Sequence, residues 1–163
     1  MGAPFVYLPE QFKVVTATKI TTTNATVTFD NVSMKNAIAV WLVADYNQAA
    51  SHATVITPKL GAVVATCTTA ITFSAEWWLN SDTDTTDTLV KQTAATTFTL
   101  ATGTTPQLVV ARFDPAQCIA QNSTFDCIGG TIATSSQATN YVSAKWFLEM
   151  KYAQATPPAA ITD

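Results

Sequence analysis

Charged side chains are scarce in this chain. Asp, Glu, Lys and Arg supply 12 % of its 163 residues, about half the usual share. The balance is slightly acidic, with a net charge of −3 and a pI near 4.9. Phosphate binding needs clustered basic residues, and the lysines here are scattered, so nucleic acid is excluded as the main partner. Histidine occurs once, as His52, and arginine once, as Arg112. Any Ser-His-Asp or Cys-His arrangement would have to be built around His52. Its neighbour Ser51 sits in no Gly-x-Ser-x-Gly elbow, and nothing local supports a pairing with a cysteine. Only five glycines are present, and none forms a phosphate-cradling loop.

Cysteine is sparse too. Cys67, Cys118 and Cys127 form no CxxC pair, and zinc would require about four convenient ligands. A Cys118–Cys127 disulfide across a short loop is one option, but an odd count without an export signal favours thiols. The N-terminus has neither a basic n-region nor an apolar h-region, and Val6 breaks the myristoylation pattern. The longest apolar run, Ala37–Ala44, is too short to span a bilayer, so no membrane partner is expected. The sequons at Asn24, Asn31 and Asn122 are expected to be unused.

Threonine dominates what is present, with 30 residues. It is β-branched, favours extended backbone, and suits the solvated face of a sheet. Apolar residues make up 48 %, enough for a real core in a single domain. A charge-poor surface of Thr, Ala, Ser, Asn and Gln is easily desolvated, which fits lasting contact with other subunits.

Period-two alternation marks half-buried strands. It is clearest over 141–150, where Val142, Ala144, Trp146, Leu148 and Met150 share one face. Over 71–80, Ile71, Phe73, Ala75, Trp77 and Leu79 face in. Over 24–30, Ala25, Val27 and Phe29 alternate with polar residues. Weaker strands are expected at 12–20, 52–59, 96–101, 107–113 and 125–132. Ala37–Ala44 reads as a buried strand, with a short helix as the other option. Turns are expected at Asp30-Asn31, Asn80-Ser81-Asp82, Thr102-Gly103-Thr104 and Gly129-Gly130. Asp114-Pro115 should cap one short helical turn ending near Ala120. The expected fold class is all-β: a single antiparallel sandwich over 12–152, jelly-roll-like, with an extended N-terminal arm (1–11) and C-terminal tail (153–163).

Few residues suggest chemistry. Glu76 and Glu149 lie on strands beside tryptophans and are the nearest approach to a glycosidase pair, although outward glutamates on strands are ordinarily just solvated. Asp82, Asp84 and Asp87 cluster in one loop that lacks the glycine and closing glutamate of a calcium hand, so a polar hairpin tip is expected. No catalytic, metal or cofactor-binding residue is assigned, and no cofactor is expected. Trp77 and Trp78 are adjacent, so one must point away from the core. Alternation buries Trp77 and turns Trp78 outward, either as an interface anchor or under cover from the same chain. Phe5, Tyr7 and Leu8 in the arm, and Pro157, Pro158 and Ile161 in the tail, complete the expected contact set.

One resemblance spans most of the chain from about residue 30. It is carried by Val32-Ser33-Met34-Lys35-Asn36 before an apolar strand, Ala53-Thr54-Val55-Ile56-Thr57-Pro58-Lys59, Trp77-Trp78-Leu79-Asn80 and Asp87-Thr88-Leu89. Further along stand Leu108-Val109-Val110-Ala111-Arg112-Phe113-Asp114, Phe125-Asp126-Cys127-Ile128 and Asn140-Tyr141-Val142-Ser143-Ala144, then Tyr152-Ala153 and Ala160-Ile161-Thr162-Asp163. In these segments the chain resembles the small β-sandwich structural proteins of tailed-bacteriophage virions. The resemblance implies a non-enzymatic decoration (cement) protein on the capsid exterior. It would contact the major capsid protein and copies of itself, as a trimer or dimer. A tail, neck or head-fibre subunit, or a host-glycan-binding sandwich, is the alternative.

Overall fold

The computed structural model describes residues 11–152, and the fold is all-β. Eleven strands run in chain order: β1 (Phe12–Thr22), β2 (Val27–Ser33), β3 (Ala37–Gln48), β4 (Thr54–Gly61), β5 (Thr69–Ala70), β6 (Glu76–Asn80), β7 (Val90–Lys91), β8 (Phe98–Leu100), β9 (Gln107–Phe113), β10 (Cys127–Ile132) and β11 (Asn140–Met150). A single described helix, α1 (Pro115–Gln121), lies between β9 and β10. One sheet has the order β1-β11-β3-β9-β6-β7. The other has β2-β10-β4-β5, with β8 also paired to β4. All the strand pairings are antiparallel.

Set aside the stretch that carries β5, β6 and β7. The remaining strands then order as first-eighth-third-sixth in one sheet and second-seventh-fourth-fifth in the other. This is jelly-roll connectivity. The expected sandwich is therefore present, and the inserted β6–β7 hairpin widens the first sheet beyond β9.

The alternation read in 141–150 holds in full: Val142, Ala144, Trp146, Leu148 and Met150 are all buried. Ala37–Ala44 belongs to strand β3 rather than to a helix, and Val40, Leu42, Ala44 and Tyr46 line the core. Rings chain through that core. Trp77 lies 5.3 Å from Phe98, Phe98 lies 6.1 Å from Phe113, and Phe113 meets Trp146 edge-on at 6.1 Å. Asp114 caps α1 as expected, accepting the Ala116 N–H at 2.8 Å, with Pro115 in the first turn.

Two expected turns are not turns. Asp30-Asn31 lies within β2 and Gly129-Gly130 within β10. Ile128 pairs with Val32 and Gly130 with Phe29, so β2 carries one extra residue there, a β-bulge. The bulge shifts the phase of β2: Phe29 is buried before it and Val32 after it, which simple alternation over 24–30 does not foresee. The freed Asp30 carbonyl accepts the Trp146 indole N–H at 2.8 Å. A Cβ on Gly129 would overlap the Asn31 amide oxygen. The glycine thus makes room for the bulge rather than for a turn.

The strand expected over 71–80 is shortened to Glu76–Asn80. Ile71 and Ala75 still point inward, and Ala75 bridges to Ala95, but the Ala70 carbonyl and the Thr72 N–H are bonded to a side chain. Gln121 of α1 accepts the Thr72 N–H at 2.9 Å and donates to the Ala70 carbonyl at 2.9 Å.

Chain 62–67 folds flat over the end of β4. Asn31 donates to the Val64 carbonyl at 2.7 Å, and a Cβ on Gly61 would overlap the Thr66 carbonyl oxygen. That obstacle is backbone, which cannot step aside. Gly61→Ala is therefore expected to lose about 2–3 kcal/mol of stability, as overpacking does. Thermal unfolding checks this, and an unchanged midpoint would contradict the close approach.

Candidate functional site

Residues directly opposite on neighbouring strands point to the same side of a sheet, so the registers define the outer face of the six-stranded sheet. Its first row across the strands is Val14, Phe147, Trp41, Arg112 and Glu76. The second is Thr16, Lys145, Val43, Val110, Trp78 and Lys91. Phe147, Trp41, Val43, Val110 and Trp78 are half-buried, and Val14 is 46 % exposed. An apolar, aromatic patch thus lies on the outside of the sandwich, away from the core.

Trp77 and Trp78 divide as expected. Trp77 is buried against Phe98, and its indole donates to the Thr93 carbonyl at 2.9 Å. Trp78 faces outward against Trp41, with ring centroids 6.1 Å apart and planes tilted by 33°. Cations rim the pair: Lys91 Nζ lies 5.5 Å from the Trp78 ring and the Arg112 guanidinium 5.8 Å from the Trp41 ring, both within cation–π range. Lys91 also donates to Glu76 at 2.7 Å. That hydrogen bond first, and the charge of Lys91 second, hold the Glu76 carboxyl below the usual carboxylate range. Trp41 is the contact residue that sequence reading missed. Its signal was available: with Val40, Leu42 and Ala44 inward, period two sends Trp41 and Val43 outward.

The described chain begins and ends at this end of the sheet. Phe12 pairs with Glu149, and Gln11 donates to the Met150 carbonyl at 2.7 Å. The remaining expected contacts, Phe5, Tyr7, Leu8, Pro157, Pro158 and Ile161, lie outside the described residues.

The other candidates are not brought together. Glu76 on β6 and Glu149 on β11 are three strand spacings apart in the order β11-β3-β9-β6, roughly 14 Å or more. That exceeds the separation of a glycosidase carboxylate pair. His52 uses Nδ1 locally, 2.6 Å from the Ala53 carbonyl oxygen. Asp82 uses its carboxylate within its own loop, accepting from Asp84 N at 3.2 Å and Thr85 Oγ1 at 2.8 Å. Among the described residues, no group of three or more His, Cys, Asp and Glu side chains converges as a metal site would. Cys67, Cys118 and Cys127 are buried thiols. Burial first, then the nearby Asp114 charge, pushes the Cys118 thiol up to about 12, so almost no thiolate exists there at neutral pH. No described helix is long and apolar enough to cross a membrane.

No protein-family model matches the chain, and no curated protein matches it. Among solved structures it is similar to the crystal structure of SPBc2 prophage-derived protein YomS. The identity is 12 %, the match covers 84 % of this chain and 91 % of that one, and the TM-score is 0.46. A likeness of that order decides neither fold nor role.

Proposed function

We propose that this chain is a non-enzymatic structural protein of a tailed-bacteriophage virion, seated on the outside of the head as a decoration (cement) protein that bridges major capsid subunits. The observation that carries the reading is the half-buried Trp41–Trp78 patch on the outer face of the jelly roll, in a chain with little charge. Tryptophans of this kind are the residues that anchor interfaces. The first and last described residues lie together at one end of the sheet that carries the patch, and arm and tail extend the contact in this reading. A shell presents the site many times over. Modest affinity per copy is then reinforced by contacts between neighbouring decorations.

The same face could serve a tail, neck or head-fibre subunit, and the effect on the shell separates these. Heads stripped of the protein are expected to open at a lower temperature, and adding the purified chain back should restore the wild-type value. An opening temperature indifferent to the chain would remove the cement role.

A further inference from the structure

Beyond the aromatic patch, toward the end of the sheet away from the chain ends, two cavities meet at Asp45. One, of about 390 Å³, is lined by Ile20, Asp45, Asn47, Tyr141, Val142 and Ser143. The other, of about 650 Å³, is lined by Asp45, Asn80, Leu108 and the loop 83–87. Strand register shows why they adjoin. Tyr141 stands opposite Asn47, Ser143 opposite Asp45, Asp45 opposite Leu108, and Leu108 opposite Asn80. The floor is therefore a row of outward side chains from Tyr141 to Leu108, ending at Asn80, which is buried beneath the loop. Ile20, 78 % exposed on the bulged strand β1, forms one wall. The loop after β6 forms the other, tied over Asn80 by the bond from Asn80 Nδ2 to the Thr86 carbonyl at 2.6 Å.

We infer that these two cavities form one groove that binds a neutral oligosaccharide. The inference does not rest on the virion reading. Charge sets the ligand class: among the described residues lining the cavities there is no lysine or arginine, while Asp45, Asp84 and Asp87 contribute carboxylates. Phosphates and acidic sugars are repelled by such a lining. The cavity at Tyr141 presents mainly apolar surface, while Asp45 and the carboxylates of loop 83–87 line the more polar cavity beside it, where hydrogen bonds accepted from sugar hydroxyls are the strong, charge-assisted kind. Tyr141, 41 % exposed, offers an apolar ring face with a polar tip, which suits a pyranose ring with its C–H face down. An extended peptide fits less well. The floor strands β11, β3 and β9 are each paired on both sides, so no open edge is available for strand addition. Tyr141 also stands six residues from Phe147 along β11, about 20 Å, so the Tyr141 end of the groove can be disabled without touching the aromatic patch.

The test titrates isotope-labelled protein with short neutral oligomers of glucose, galactose, mannose and N-acetylglucosamine, alongside an acidic glycan and a basic peptide. One neutral series is expected to saturate and to move the amide signals of Asp45, Asn47, Tyr141 and Ser143. Tyr141→Ala and Asp45→Ala should each weaken that binding about tenfold or more with thermal unfolding unchanged, and Tyr141→Ala should leave occupancy on phage particles unchanged. Tyr141→Phe should keep most of the affinity. Absence of saturation by every neutral series, preferential binding of the acidic glycan or the basic peptide, or indifference to Tyr141→Ala and Asp45→Ala would overturn the inference.

Discussion

Trp146→Ala is expected to cost about 3–5 kcal/mol of folding stability, the usual range for emptying a large aromatic core site. Trp146 is fully buried, its ring meets Phe113 edge-on, and its indole N–H is bonded to the Asp30 carbonyl at the β2 bulge. Alanine leaves a cavity between the sheets and takes from the Asp30 carbonyl its partner in a part-buried hydrogen bond, two separate penalties. Trp146→Phe keeps much of the packing and isolates the hydrogen bond, so it should lose less. Urea unfolding reads both as a lower midpoint with an unchanged slope. A loss below about 1 kcal/mol for Trp146→Ala would show that this ring does not tie the bulge to the core.

Trp41→Glu combined with Trp78→Glu is expected to lower occupancy on phage particles about 100-fold, from two anchor losses of roughly 2 kcal/mol each that add incompletely. Both side chains are half-buried on the outer face, so each change should cost less than about 1 kcal/mol of stability. Trp77→Ala is the contrasting variant. Its ring packs on Phe98 inside the sandwich, so its loss should be about 3–5 kcal/mol of folding. Chemical denaturation together with sedimentation of particles separates the two effects. Equal loss of folding in the Trp77 and Trp78 variants would mean that the outer face is not the docking face.

Much of this architecture was legible in the sequence because alternation is a local signal. The 141–150 pattern gave the inward set of β11 residue for residue, and the Asp114-Pro115 start of α1 was written in its cap. Failures came where a distant partner decided the outcome. Asp30-Asn31 and Gly129-Gly130 carry turn-forming residues, yet they face each other across a bulged ladder. The strand expected from Ile71 onward begins only at Glu76: Ile71 bonds back to Pro58, and Gln121, about fifty positions away, takes the Thr72 N–H. Trp78 was placed correctly by counting from Trp77. Trp41 was hidden in an apolar run whose two faces look alike until the strands beside it are known. The groove at Asp45 was invisible for the same reason: its lining comes from five separated segments.

Imaging of phage particles that carry the labelled chain tests the central claim most directly. The account predicts density over the head at regular lattice positions, with the Trp41–Trp78 face turned toward the shell, and loss of that density in the double glutamate variant. Density confined to the tail or neck would contradict the cement role, and absence from the particles would contradict the structural reading itself.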